Sequence, residues 1–308
     1  MNEAVAPRLQ SLPAKLRTAW DKLLWGIRVV GPGRVLQGAA RLALLGLLHP
    51  KRSEVRLRSG TVMEFDYPSQ FPPMLVMFGD LVDPEFAYLQ AISRPGCTMI
   101  DVGAAIGQFT LFASRLGATV HAFEPSGTNV ATLVRNLDRN GVAGRVAVHQ
   151  AALSNMTGEA CFQTDARTWL SRLDRSQGGE LVRVQRLSDA MAELSLDHVS
   201  VIKINVSGYE PAVMEGAWPF LTEGRADILV LLLGLESLPW YEKIAGLGYR
   251  FFYYHPRRKT LYEVTEFDAS SVLEHRPWPA RHIIAIRSGA IADGMVANLP
   301  IEPLQSRS

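Results

Sequence analysis

Met99-Ile100-Asp101-Val102-Gly103-Ala104-Ala105-Ile106-Gly107 decides how this chain is read. A short apolar run of strand character, Met99 to Val102, ends in an acid and a glycine, and a second glycine stands where a helical pattern begins, Ile106 to Leu116. Gly103 lets the backbone turn with positive φ and lets a ligand approach closely, while Gly107 lets the helix pack tightly. A nucleotide-like ligand is expected above this turn. The spacing G-x-x-x-G lacks the middle glycine of G-x-G-x-x-G, which leaves less room for a pyrophosphate and disfavours a nicotinamide dinucleotide.

Outward from this turn the same grammar repeats. Val120-His121-Ala122-Phe123-Glu124-Pro125 is a second strand ending in an acid, 21 residues after Gly103, where a carboxylate accepts hydrogen bonds from ribose hydroxyls. Glu124 is the leading ligand contact. Further strands are expected at Arg145 to His149, Val199 to Ile204 and Ile228 to Leu233, with helices at Gly127 to Asn140 and Glu210 to Leu221. Strand and helix in alternation imply a doubly wound, mostly parallel α/β sheet, because parallel strands need crossover connections. After a helix at Pro239 to Leu247 that rule breaks. Tyr249 to His255, Thr260 to Val264 and His282 to Ile286 are strand-like with only turn chemistry between them, so the sheet should finish in an antiparallel hairpin.

Upstream, Glu54 to Arg58 and Thr61 to Phe65 alternate around Ser59-Gly60 as a hairpin, and Asp83 can cap a helix beginning at Pro84. Residues 1–50 read as short helices broken at Gly31-Pro32-Gly33. Their most apolar stretch, Val35 to Leu48, is 14 residues and contains Arg41, short of the roughly 20 that span a bilayer. It also lies too far from Met1 for a signal peptide. The divisions expected are a basic helical extension (1–53), a hairpin and helix leading into the core (54–95), the ligand-binding domain (96–290) and a tail (291–308).

The chain has 308 residues, 47% hydrophobic and 20% charged, which excludes disorder and a disulfide scaffold. Cys97 and Cys161 form no metal-binding pair and fit reduced thiols in a cytoplasmic setting. The net charge of +2 hides an asymmetry: residues 1–58 hold 11 Lys and Arg against 3 Asp and Glu, the remainder 21 against 27. The basic head reads either as a solvated helical cap or as a peripheral contact with anionic membrane. The acidic body disfavours a nucleic-acid partner.

In order and spacing the motifs resemble the FkbM family of S-adenosylmethionine-dependent methyltransferases. That family's pattern reads DVGANIG, AFEP, a helix ending N-x-x-x-N-G, then KIDVEGxE. The matching stretches are Asp101 to Gly107, Ala122 to Pro125, Asn136 to Gly141 and Lys203 to Glu210. The resemblance implies a class I, Rossmann-like methyltransferase fold with a seven-stranded sheet. It also implies S-adenosylmethionine as cofactor and methyl transfer to an oxygen of a glycan or small natural product. By the same resemblance, Asp101, Gly103, Ala104 and Gly107 flank the methionine part and Glu124 the ribose, with Pro125 in the same loop and Ser126 and Ala151 near the adenine. Ser126 reads equally well as a helix cap, and Asn136 and Asn140 as helix-end residues.

Departures from the family pattern fall on the reacting half. Asn205 and Ser207 stand where the family has carboxylates, and Ala105 where it prefers Asn. Neither an amide nor a hydroxyl is a general base at neutral pH. The catalytic candidates are therefore Asn205 and Ser207 themselves, Glu210, which also suits a helix dipole, and His255, with Glu236 and Lys203 nearby; Lys203 reads better as a structural pair. No metal site is expected, since Asn205 and Ser207 lack the charge that hard cations demand. The alternative to an O-methyltransferase is a catalytically impaired relative that binds cofactor or a partner without methyl transfer.

Overall fold

The computed structural model describes residues 23–24, 26–27, 30–70, 72–79, 84–163, 172–174, 180–206, 208–232, 238–255, 258–267 and 282–304. Helix α1 (Pro32–Leu48) begins where the sequence breaks: Gly31 turns at φ 87° and Pro32 fills the first turn, where a missing N–H removes no helical bond. His49, at φ 43°, ends it. The hairpin follows as β1 (Arg52–Arg56) and β2 (Val62–Asp66), antiparallel with Val55 opposite Met63. Helices α2 (Pro73–Phe78) and α3 (Pro84–Ile92) lead toward the core; Asp83, the expected cap, lies outside the described residues.

Strand and helix then alternate as β3 (Thr98–Val102), α4 (Gln108–Arg115), β4 (Thr119–Phe123), α5 (Gly127–Arg139) and β5 (Val146–His149). Four strands missed in the sequence come next: β6 (Ala151–Ser154), β7 (Gly158–Gln163), β8 (Arg172–Asp174) and β9 (Glu180–Arg186). They form a separate sheet in the order β6-β9-β7-β8. The chain returns through α6 (Leu187–Glu193), β10 (Val199–Ile204), α7 (Glu210–Thr222), β11 (Ala226–Leu232), α8 (Leu238–Gly246) and β12 (Tyr249–His255). It closes with β13 (Thr260–Val264), β14 (His282–Arg287), α9 (Ser288–Ala292) and β15 (Ile301–Pro303).

Among the described residues the main sheet has nine strands, ordered β15-β13-β12-β14-β11-β10-β3-β4-β5, against the seven expected. β14 inserts between β11 and β12 and runs antiparallel to both, so β12 keeps the direction of the core strands. The hairpin partner β13 and then β15 extend the sheet beyond β12. Within the C-terminal residues, Ile301–Pro303 join the sheet edge, with Ile301 paired to Leu261.

Apolar side chains on both sides of each central strand explain why β3 reads as a continuous run. Met99 packs on one face with Leu111 and Leu133, and Ile100 and Val102 on the other with Met214 and Phe220. The hairpin is clamped to α5 by two asparagines one turn apart. The Asn136 Oδ1 accepts from the Glu64 N–H at 2.7 Å while its Nδ2 donates to the Glu64 and Ile106 carbonyls, and Asn140 does the same with both backbone groups of Val62. These side chains extend the hairpin's own hydrogen bonding. The register of the main sheet ends its parallel strands together, so that Gly103, Glu124, Asn205 and His282, which opens β14, lie at one end of it.

Candidate active site

Gly103 and Gly107 are required, though by the protein's own atoms. Gly103 has φ +74°, and a Cβ there would lie 2.2 Å from the Asn205 carbonyl oxygen. The close approach is therefore by the end of β10, not by an open ligand space. Gly107, at φ +99°, would meet Leu133 of α5 at 2.5 Å. Between them Ala104 is buried and Ala105 holds φ 49°, a left-handed conformation that strains an alanine and suits an asparagine.

Glu124 is 5% exposed and turned toward this loop. Its Oε2 accepts from the Ala105 N–H at 2.9 Å, and Oε1 from the Ser126 N–H at 3.0 Å and the Asn129 amide at 3.1 Å. Burial pushes its carboxyl above the ordinary range, and hydrogen bonds from Asn129, Ser126 and Ala105, with the charge of Lys203, pull it partly back. Ser126 caps α5, accepting from Asn129 N, and Pro125 is half-buried between the two. The donor set suits a nucleoside. A carboxylate offers about four lone-pair sites, three are engaged, and acceptor capacity remains for a ribose hydroxyl.

Asp101 is fully buried and committed inward. Lys203 lies 2.9 Å from its Oδ1, and Thr110 donates to Oδ2 at 2.6 Å. Lys203 also donates to the Gly103 carbonyl at 2.7 Å and sits 5.1 Å from the Phe109 ring centre. This ion pair ties β3 to β10 directly beneath the glycine turn.

The reacting half holds a histidine that the sequence reading passed over. Asn205, half-buried at the end of β10, lies with its Nδ2 3.1 Å from the Nε2 of His282. His282 is 1% exposed and its ring meets Phe109 edge-on at 5.2 Å. His255, the histidine singled out from the sequence, stands on β12, three strand spacings or about 14 Å from β10. There it accepts from the Arg258 N–H through Nδ1. Glu210 braces the turn before α7, its two oxygens accepting the Val206 and Gly208 N–H groups at 2.8 Å each. Ser207 and Glu236 lie outside the described residues.

Ala151, at the start of β6, borders a pocket of about 250 Å³ that is also lined by His149, Gln150, Arg183 and Glu193. His149 stacks on Phe123 at 4.5 Å and contacts His121, nitrogen to nitrogen, at 3.2 Å. Burial, the larger cause for His149 and the one cause for His121, lowers both imidazoles below the usual histidine range. Among the described residues no group of three His, Cys, Asp or Glu is placed to hold a metal ion.

A sheet in this strand order, with one antiparallel insertion and an acid-ended second strand beside a glycine turn, defines a class I, Rossmann-like methyltransferase domain. Residues 101–251 match the family model for the methyltransferase FkbM domain. The 31-O-demethyl-FK506 methyltransferase FkbM of Streptomyces tacrolimicus is 34% identical over 175 residues, 44% of this chain and 66% of that protein. The 23S rRNA (uracil(1939)-C(5))-methyltransferase RlmD of Aromatoleum aromaticum is 32% identical over 165 residues, 49% of this chain and 35% of that protein. Over residues 101–251 the chain is similar to the FkbM methyltransferase family. It matches just under two thirds of the first relative's length and about a third of the second's. Solved structures similar to it include the methyltransferase FkbM of Methylobacillus flagellatus, with TM-score 0.42 and 17% identity over 70% of this chain and 53% of that one. Another is the precorrin-6y C5,15-methyltransferase of Geobacter metallireducens, with TM-score 0.39 and 14% identity over 67% of this chain and 86% of that one.

Proposed function

We propose that the protein binds S-adenosylmethionine across the ends of β3 and β4 and transfers its methyl group to a hydroxyl oxygen of a small natural product or a glycan. The observation that carries this is Glu124, a buried carboxylate fixed by three N–H donors with acceptor capacity left for a ribose hydroxyl. Support for oxygen as the target comes from the Streptomyces relative, whose name gives its substrate as 31-O-demethyl-FK506.

When bound, the cofactor supplies the methyl group as a sulfonium electrophile. The chain's residues have two tasks left: to orient a hydroxyl for in-line approach, worth up to about 7 to 11 kcal/mol, and to take its proton. Asn205 donates to His282 Nε2, which places the imidazole proton on Nδ1 and leaves Nε2 with an acceptor lone pair. An acceptor hydroxyl that replaces the Asn205 amide as donor gives its proton to Nε2 as the new C–O bond forms. Imidazole thus does the work that a carboxylate performs in the family pattern.

The test is methyl transfer from labelled cofactor to a panel of hydroxylated acceptors by the wild type and His282→Gln. The variant is expected to lose on the order of 10²-fold in kcat, together with the acidic limb of the rate profile, at unchanged cofactor affinity. Equal rates and equal pH profiles would remove His282 from the reaction. A second reading rests on the amide at Asn205: a relative that binds cofactor without transferring methyl. Cofactor binding with no transfer to any acceptor would favour it.

A further inference from the structure

Helix α1 shows solvent a side without charge. Leu36 is 76% exposed, Leu44 53%, Leu47 79% and Leu48 64%, and Ala40 and Ala43 are exposed between them. Residues 36, 40, 43, 44 and 47 follow helical spacing and make one stripe. The opposite side packs inward through Val35, Gly38 and Leu45, with Gly38 so close to the Met77 backbone that a Cβ would lie 2.3 Å from its carbonyl oxygen. The helix's own cations turn to protein: Arg41 donates to the Glu54 carbonyl and Arg34 lies beside Gly79. A helix apolar on both sides is one whose second side is made for another apolar phase.

What surrounds the stripe identifies that phase. Lys51, Arg56 and Arg58 are exposed directly after the leucine-rich end of α1; Arg52 pairs with Asp66 at 3.2 Å, and Glu54 is engaged by Arg139. Residues 30–58 hold 6 cationic against 1 acidic side chain, whereas residues 59–308 hold 21 against 27. A second copy seated on this face would set one strongly positive segment against another, a repulsive juxtaposition. We infer that α1 is a docking surface for an anionic lipid bilayer. Its 17 residues, about 25 Å of helix, lie in the interface plane with the exposed leucines immersed and the neighbouring cations over the headgroups. No described helix is long and apolar enough to cross a membrane. The inference does not rest on methyl transfer.

Co-sedimentation of the full chain with vesicles of phosphatidylcholine, alone or mixed with phosphatidylglycerol, tests it. The wild type is expected to pellet with the mixed vesicles and to be released by salt. Leu44→Glu with Leu47→Glu should bind at least about tenfold more weakly, with an unchanged melting temperature as the folding control. Lys51→Ala with Arg56→Ala and Arg58→Ala should remove the preference for anionic lipid. A wild type that stays in the supernatant, or a leucine variant that binds like the wild type, overturns the assignment. So does light scattering that finds a dimer split by the leucine substitutions in a chain that ignores vesicles.

Discussion

Two ends of one sheet edge carry different chemistry. At the β3–β4 end a carboxylate, Glu124, is buried and kept in place by two backbone N–H groups and an amide. At the β10–β14 end the carboxylate of the family pattern is replaced by an amide touching an imidazole, Asn205 and His282. Under the proposed function the first end would grip the cofactor, which needs a fixed acceptor, and the second would react, which needs a lone pair at the right place. Between them lies the Asp101–Lys203 pair, buried and bound to both strands. It lets the two ends differ without drifting apart.

That joint is where the largest effect is expected. Lys203→Met leaves Asp101 charged, buried and without its cation, which costs about 3 to 5 kcal/mol, read as a lower urea midpoint. Adding Asp101→Asn removes the stranded charge and should recover much of the loss, which separates the ion pair from simple packing. A single variant that unfolds like the wild type would mean that the joint is not holding the two ends. The smallest effect lies in the glycine turn. Ala105→Asn relieves an alanine held at φ 49° and should raise stability by about 1 kcal/mol, seen as a melting temperature about 2 to 4 °C higher. An unchanged or lower value would place the strain elsewhere.

Much of the gripping end was legible in the sequence and little of the reacting end. Gly103, Gly107 and Glu124 stand within one strand-turn-helix-strand unit, so local spacing brings them together. What spacing cannot show is how the grip is built: the N–H groups of Ala105 and Ser126 become donors only once the turn has formed. His282 is 77 residues from Asn205 and reaches it because β14 slides between β11 and β12, a choice of strand order invisible to a residue-by-residue reading. His255 ends a strand just as plainly, yet that strand lies beyond the insertion. The second sheet was missed for a different reason. Its strand β6, Ala151–Ser154, lacks the β-branched and aromatic residues that mark strands and forms against β9 through a pairing some thirty residues away, whereas β9 itself carries Val182 and Val184 in alternation and was legible. The exposed leucines of α1 had helical spacing in the sequence, but only packing shows which of them face protein.

The proposed role of Glu124 in holding the nucleoside is tested most directly by calorimetric titration with S-adenosylhomocysteine across pH, on wild type and Glu124→Gln. The ionised carboxylate is the form that accepts from ribose hydroxyls. Because burial raises its pKa, wild-type affinity should fall on acidification, starting above the usual glutamate range and approaching tenfold per unit. The neutral variant should bind weakly at every pH. Wild type and variant binding with equal affinity and no pH dependence would contradict the account.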